Sequence, residues 1–215
     1  MKKSFIKKYL SHHDTPIEAA LQIMECRAQE ILKRNNGYKD LYIDSEVDIV
    51  NSDPQVIQQV KKELEDFLAL LDKHKVKNLV QIGLGHWAST HFVLSLLLEN
   101  ITTIEYDFNH IQRYLPESCG DCETILRGDS LRLHSEIEDE SFDAVFIDGN
   151  HSYEYVKKDL GNYSKKVKKG GIIAMHDANF EGDQYGTPQV IRESASEWSF
   201  ISHSKEVGIA YTIKE

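Results

Sequence analysis

Cysteine is scarce in this chain of 215 residues: Cys26, Cys119 and Cys122 leave an odd count and no basis for a disulfide framework. The CGDC stretch could supply half of a four-ligand zinc site or a redox pair, but no second half is evident, and the plainer reading is a loop before the strand ETILR. Long apolar runs are missing too, so no segment approaches the length needed to span a bilayer. The opening MKKSFIKKYLSHHD lacks the apolar stretch of a secretory signal, which makes the cytoplasm the default expectation, with no membrane partner. Basic charge is short, 25 Lys and Arg against 35 Asp and Glu, for a net charge of -10. That balance argues against general nucleic-acid binding, which needs Lys and Arg clustered over a broad face, although a small local contact stays open. Disorder is excluded by an ordinary apolar fraction of 40% with 28% charged residues.

Proline is sparse, at four residues, but its placement is informative. Pro16, Pro54 and Pro188 each follow a Thr or Asp, the arrangement of an N-cap with proline in the first helical turn. Thr15 to Glu18 also fit a capping box, so a helix is expected from there to the stop at Asn35, Asn36 and Gly37. A second helix is expected after Asp53, because Ile57, Val60, Leu64, Phe67, Leu68 and Leu71 recur at three- and four-residue intervals. Residues 1–74 are thus expected to form a helical extension, a lid or an interface that covers the carboxyl face of a sheet or joins a homo-oligomer.

From Lys75 the pattern changes to short β-branched runs separated by helical segments, the rhythm of βαβ units. The strand candidates are KNLVQIG, ITTIEYD, ETILRG, FDAVFIDG and GIIAMHD, then the closely spaced SFISHS and VGIAYTIKE. Runs that are apolar on both faces suit central parallel strands, and the last pair is too close for a helical crossover. The expected fold class is α/β, a Rossmann-like doubly wound sheet of about seven strands, mostly parallel, with a C-terminal antiparallel hairpin.

Ligands of such sheets bind outside the carboxyl ends of the strands. The first of these strands carries Gln81 and ends in Gly83, Leu84 and Gly85, before the small residues Ala88 and Ser89 and the helix HFVLSLLL. Glycines let backbone approach a ligand, and the helix start presents free N–H groups. Three readings stay open here. Gly83, Gly85 and Ala88 satisfy a dinucleotide fingerprint with Glu105 placed to hold a ribose, as NAD requires; they equally suit another nucleotide cofactor, or a turn that only packs helix on strand.

Downstream, FDAVFIDGNHSYEYVKKDL followed by KKGGIIAMHDAN closely resembles class I S-adenosylmethionine-dependent methyltransferases of the branch in which an IDG-x-H-x-Y segment precedes a lysine-glycine-glycine turn and a strand ending in His-Asp. The resemblance covers roughly residues 75–215. It implies a methyltransferase core there, with Gly83 and Gly85 beneath the methionine part of S-adenosylmethionine, Glu105 on its ribose, and Asp129 and Ser130 flanking its adenine; Gln81, Ser89 and Asp148 complete the expected cofactor set. Asp129 and Ser130 can also simply cap the next helix. Where many relatives have a further glycine, His86 and Trp87 stand here.

In related oxygen-methylating enzymes the positions of Asp148, His176 and Asp177 hold a divalent cation; the carboxylates suit Mg²⁺, the histidine tilts the preference toward Mn²⁺, Fe²⁺ or Zn²⁺, and Mg²⁺ or Mn²⁺ is the expectation with the metal's identity open. The alternative is that Asp148 caps a helix and the His-Asp pair only shapes the pocket. His151, three residues after Asp148, is a candidate general base, or a scaffold for its turn. The expected activity is methyl transfer to a small hydroxylated acceptor, with an NAD-dependent oxidoreductase, an iron-dependent hydroxylase and a non-catalytic cofactor-binding scaffold as the alternatives.

Overall fold

In a computed structural model of the chain, residues 14–34, 40–43, 55–85, 87–107, 122–180, 182, 185–205 and 207–215 are described. The expected helix stop at residues 35–37, the Asp53–Pro54 cap, Cys119 and His86 lie outside them. Helix α1 (Pro16–Arg34) starts as the sequence requires: the Glu18 N–H donates to Thr15 Oγ1 at 3.2 Å. It buries Ala20, Leu21, Met24 and Ala28, one stripe of an amphipathic helix.

The next stretch departs from expectation. Ile57 and Val60 lie in a strand, β2 (Gln55–Val60), which pairs in parallel with β1 (Asp40–Ile43) as a two-stranded sheet of its own. Both faces of β2 are covered, so Val56 and Ile57 are buried in succession and period-2 alternation disappears. Only the second half of the apolar stripe is helical, as α2 (Lys61–Lys73) with Leu64, Phe67, Leu68 and Leu71 buried. The extension is therefore helix plus strand, not all helix.

The seven expected strands all form: β3 (Asn78–Ile82), β4 (Asn100–Glu105), β5 (Glu123–Arg127), β6 (Phe142–Ile147), β7 (Val167–His176), β8 (Ser199–Ile201) and β9 (Ile209–Ile213). Their order is β5-β4-β3-β6-β7-β9-β8, parallel except that β9 runs antiparallel to both β7 and β8. Strand order reverses between β3 and β6, the switch point at which an α/β sheet opens a crevice. Helices α1, α2 and α3 (Ser89–Leu97) pack on one face, with Met24, Phe67 and Val93 against Leu79, Ala144 and Phe146. On the other face α5 (Tyr153–Tyr163) and α6 (Thr187–Glu193) set Val156, Tyr163 and Val190 against Val80, Val145 and Met175, while α4 (Ser130–Leu133) follows β5. The N-cap of α6 is Gly186, one residue earlier than the proline pattern suggests. A side chain there would strike the backbone of Tyr153, with a Cβ only 2.1 Å from its Cα.

Candidate active site

A cavity of about 730 Å³ opens at the carboxyl ends of β3, β4, β6 and β7. All the cofactor-site and metal-site residues named from the sequence line it: Gln81, Gly83, Gly85, Ser89, Glu105, Asp129, Ser130, Asp148, His151, His176 and Asp177. They divide into two ends.

At the first end the chain leaves β3 through Gly83, whose φ of +88° and proximity to β6 both demand glycine. A Cβ there would lie 2.0 Å from Asp148 O. Ala88 takes φ +52° immediately before α3, so the loop folds back tightly onto the helix start. Glu105 closes this end: Oε2 accepts from Leu84 N at 2.9 Å and Oε1 from Asp107 N at 2.7 Å. Each oxygen keeps a second lone pair for a diol. Asp129 caps α4 by accepting from Leu131 N at 2.9 Å, and its neighbour Ser130 is buried beside it, so the capping and pocket-lining roles coexist.

At the second end Asp148, His151, His176 and Asp177 form one cluster. His176 Nδ1 lies 3.3 Å from Asp148 Oδ1 and 3.2 Å from Asp177 Oδ1. His151 Nε2 lies 3.3 Å from Asp177 Oδ2 and 3.9 Å from Asp148 Oδ1. Burial opposes ionisation of Asp148, but the charge of His176 and the approach of both imidazoles outweigh it and hold the carboxyl well below the usual range. Burial likewise acts to lower His176, and the charges of Asp148 and Asp177 reverse this and raise it well above an ordinary imidazole. For His151, burial is overcome by the neighbouring carboxylates of Asp148 and Asp177, so its pKa rises too. Asp177 itself holds a left-handed φ of +56°, rare for a residue with a Cβ, fixed by Ala178 N donating to Gly208 O at 3.1 Å and Asn179 N to Val207 O at 2.8 Å.

Among the described residues, the group whose ligand atoms lie within 4.8 Å of one another is Asp148, His151 and Asp177. Two carboxylates suit Mg²⁺ or Mn²⁺, and an imidazole among the ligands would shift the preference toward Mn²⁺, Fe²⁺ or Zn²⁺. His176, expected in that set, sits instead between the two carboxylates, and its Nε2 has no hydrogen-bond partner among the described residues.

Several lining residues carry no sequence motif. Gln55, Gln58 and Gln59 come from β2, hidden by the helical reading of that stretch. Tyr185 stacks on the His151 ring at 4.9 Å and on Phe180 at 3.7 Å, a sandwich that only the tertiary fold assembles. Trp87 lines the cavity but is 3% exposed and belongs to the core.

Residues 80–178 match the model of a family described as a methyltransferase domain. Over its length the fold resembles a Staphylococcus aureus protein provisionally named a caffeoyl-CoA O-methyltransferase, with a TM-score of 0.59, 18% identity and 99% of each chain covered. It also resembles the O-methyltransferase TomG of Streptomyces achromogenes, solved in complex with SAM, with a TM-score of 0.57, 14% identity and 91% and 90% of the two chains covered. An uncharacterized protein of Sinorhizobium fredii, y4gI, is 30% identical over 87 residues, which span 40% of this chain and 9% of that protein. The fold and cavity thus define a class I methyltransferase architecture. With the family match over residues 80–178, they bear out the resemblance carried by the IDGNHSY and GGIIAMHD motifs.

Proposed function

We propose that the chain transfers a methyl group from S-adenosylmethionine to an oxygen of a small hydroxylated acceptor such as a sugar or phenol. The observation that carries this reading is the two-ended cavity: a glycine loop with Glu105 and the Asp129 cap at one end, and a cluster able to orient and deprotonate a hydroxyl at the other. S-adenosylmethionine supplies an electrophilic methyl group. Gly83 and Gly85 let its methionine part lie against the backbone, Glu105 holds the ribose hydroxyls, and Asp129 and Ser130 border the adenine.

Most of the rate enhancement in such a displacement comes from holding the nucleophile in line at near-attack distance. That task falls to Asp148, Asp177 and the stacked rings of His151 and Tyr185. His151, 39% exposed and anchored by two carboxylates, is the group placed to accept the acceptor's proton. A divalent cation held by the carboxylates of Asp148 and Asp177 would supply Lewis-acid polarisation of the acceptor oxygen and leave the His151 imidazole free to take the proton. In its absence, the positive charge of His176 between the carboxylates would still lower their mutual repulsion.

Calorimetric titration with S-adenosylhomocysteine tests the cofactor assignment. Glu105→Ala should weaken binding by roughly 1.5 to 3 kcal/mol, the range for hydrogen bonds to a charged group. Unchanged affinity would place the ribose elsewhere. Chelation in the same titration should leave cofactor affinity intact, and full methyl transfer in excess chelator would remove the cation from the proposal.

A further inference from the structure

Strand β2 stands outside the seven-stranded sheet, yet it runs along the cavity on the side of the glycine loop. Ser89 Oγ donates to Val56 O at 3.0 Å, which pins β2 to the first turn of α3. The Gln58 side chain rests against the loop, its Oε1 2.5 Å from where a Cβ on Gly85 would stand. Gln59 lines the same cavity and is 1% exposed. Its Nε2 donates to Asp148 Oδ2 at 3.2 Å.

That contact fixes the orientation of the amide. A carboxylate only accepts hydrogen bonds, so the nitrogen of Gln59 faces Asp148 and the oxygen is turned away from it. Gln59 Oε1 has no hydrogen-bond partner among the described residues. Buried acceptors in that condition are uncommon and call for an explanation. Asp148 is meanwhile divided in its duties: Oδ1 faces His176 and His151, and Oδ2 accepts from Gln59.

We propose that Gln59 Oε1, together with Asp148 Oδ2, accepts hydrogen bonds from the α-ammonium group at the methionine end of the cofactor, so that the appended segment completes the cofactor site. The assignment rests on the cofactor reading above. An ammonium offers three donors and accepts nothing; the carboxylate balances its charge and the amide oxygen fixes its direction. No lysine or arginine lines the cavity among the described residues, and the imidazoles of His176 and His151 approach the other carboxylate oxygen, Asp148 Oδ1. The carboxylate of the same end has donors on the other side, in the Thr90 hydroxyl and the free N–H groups at the start of α3.

Two ligands separate this role from general support of the pocket: S-adenosylhomocysteine, which carries the ammonium, and 5′-methylthioadenosine, the same adenosine thioether without an amino-acid end. In calorimetric titrations of the full chain, Gln59→Met, close to glutamine in volume, should weaken S-adenosylhomocysteine by about tenfold or more while methylthioadenosine stays within about twofold. The ratio of the two dissociation constants should therefore narrow. Equal weakening of both ligands would reveal damage to the pocket and overturn the assignment. So would an unchanged affinity for S-adenosylhomocysteine. A wild-type chain that binds neither ligand would defeat the cofactor reading itself, and this assignment with it.

Discussion

Asp159 shows how a single side chain is held at a cost to stability. It lies on α5, 1% exposed, and neither of its oxygens has a hydrogen-bond partner of good geometry among the described residues. Burial pushes its pKa up from 3.8 to about 6; the charge of Asp129 adds to the rise and the Ser130 hydroxyl opposes it. The folded state thus binds this proton more tightly than the unfolded chain does, so stability falls as pH rises through the window from about 4 to about 6. Above that window the group costs about 3 kcal/mol at the usual value of 1.4 kcal/mol per pH unit. Asp159→Asn should raise stability at pH 7 by a large part of that amount and change it little at pH 4. Denaturant unfolding at the two pH values checks this, and an equal effect at both would show that ionisation is not the cause. Because Asp159 sits beside Ser130 and Asp129, the same substitution also asks whether the adenine end of the cavity depends on that buried charge.

Among the elements, the tie between α2 and the loop from β8 to β9 is the most specific. Glu63 is fully buried and accepts from three backbone groups: His203 N at 2.7 Å, Ser204 N at 2.9 Å and Gly208 N at 3.0 Å. His203 Nε2 adds a contact to Asp66 Oδ2 at 2.7 Å. Glu63→Ala would leave these amides without their acceptor, and a loss on the order of 3 kcal/mol is expected, since buried unpaired donors retain their desolvation penalty. Hydrogen exchange should accelerate at residues 203, 204 and 208 before it does in β3 or β6. Uniform exchange across the sheet would contradict a local clamp.

Nothing about Glu63 is legible in the sequence, where it reads as one more acid on an exposed helix face. The seven strands of the main sheet are legible because KNLVQIG, FDAVFIDG and GIIAMHD are short, apolar and bounded by glycines, and their order places Gly83, Glu105, Asp148 and His176 at one edge. Strand β2 is not. Ile57 and Val60 happen to fall at helical spacing with Leu64, and burial of Val56 beside Ile57 erases the alternation that marks a strand. Gln58 and Gln59 were hidden by that coincidence, and Tyr185 by a loop whose course depends on Gly186 meeting Tyr153.

On the scale of the whole molecule, residues before Lys75 share the main core instead of resting on it. Met24, Val56, Leu64 and Phe67 lie in one cluster with Leu79, Phe146 and Ile172, and the Phe67 and Phe146 rings are 4.8 Å apart. A chain starting at Lys75 would expose that face of the sheet to water. It should lack a cooperative thermal transition and bind a hydrophobic dye, as partly folded states do. A stable monomer with a sharp transition and unaltered affinity for S-adenosylhomocysteine would instead mark residues 1–74 as dispensable.

The clamp on Glu63 also has a consequence in time. Its three partners lie 140, 141 and 145 residues further along the chain, and the loop that carries them also fixes the backbone of Ala178 and Asn179, next to the left-handed Asp177. Contacts so distant in sequence close late, because loop entropy must be overcome first. On the ribosome the glycine loop and its crossover helix can therefore collapse long before Asp177 is locked into place. The backbone of Asp177 is therefore expected to take its final place only once residues 203–208 are available to hold Ala178 and Asn179.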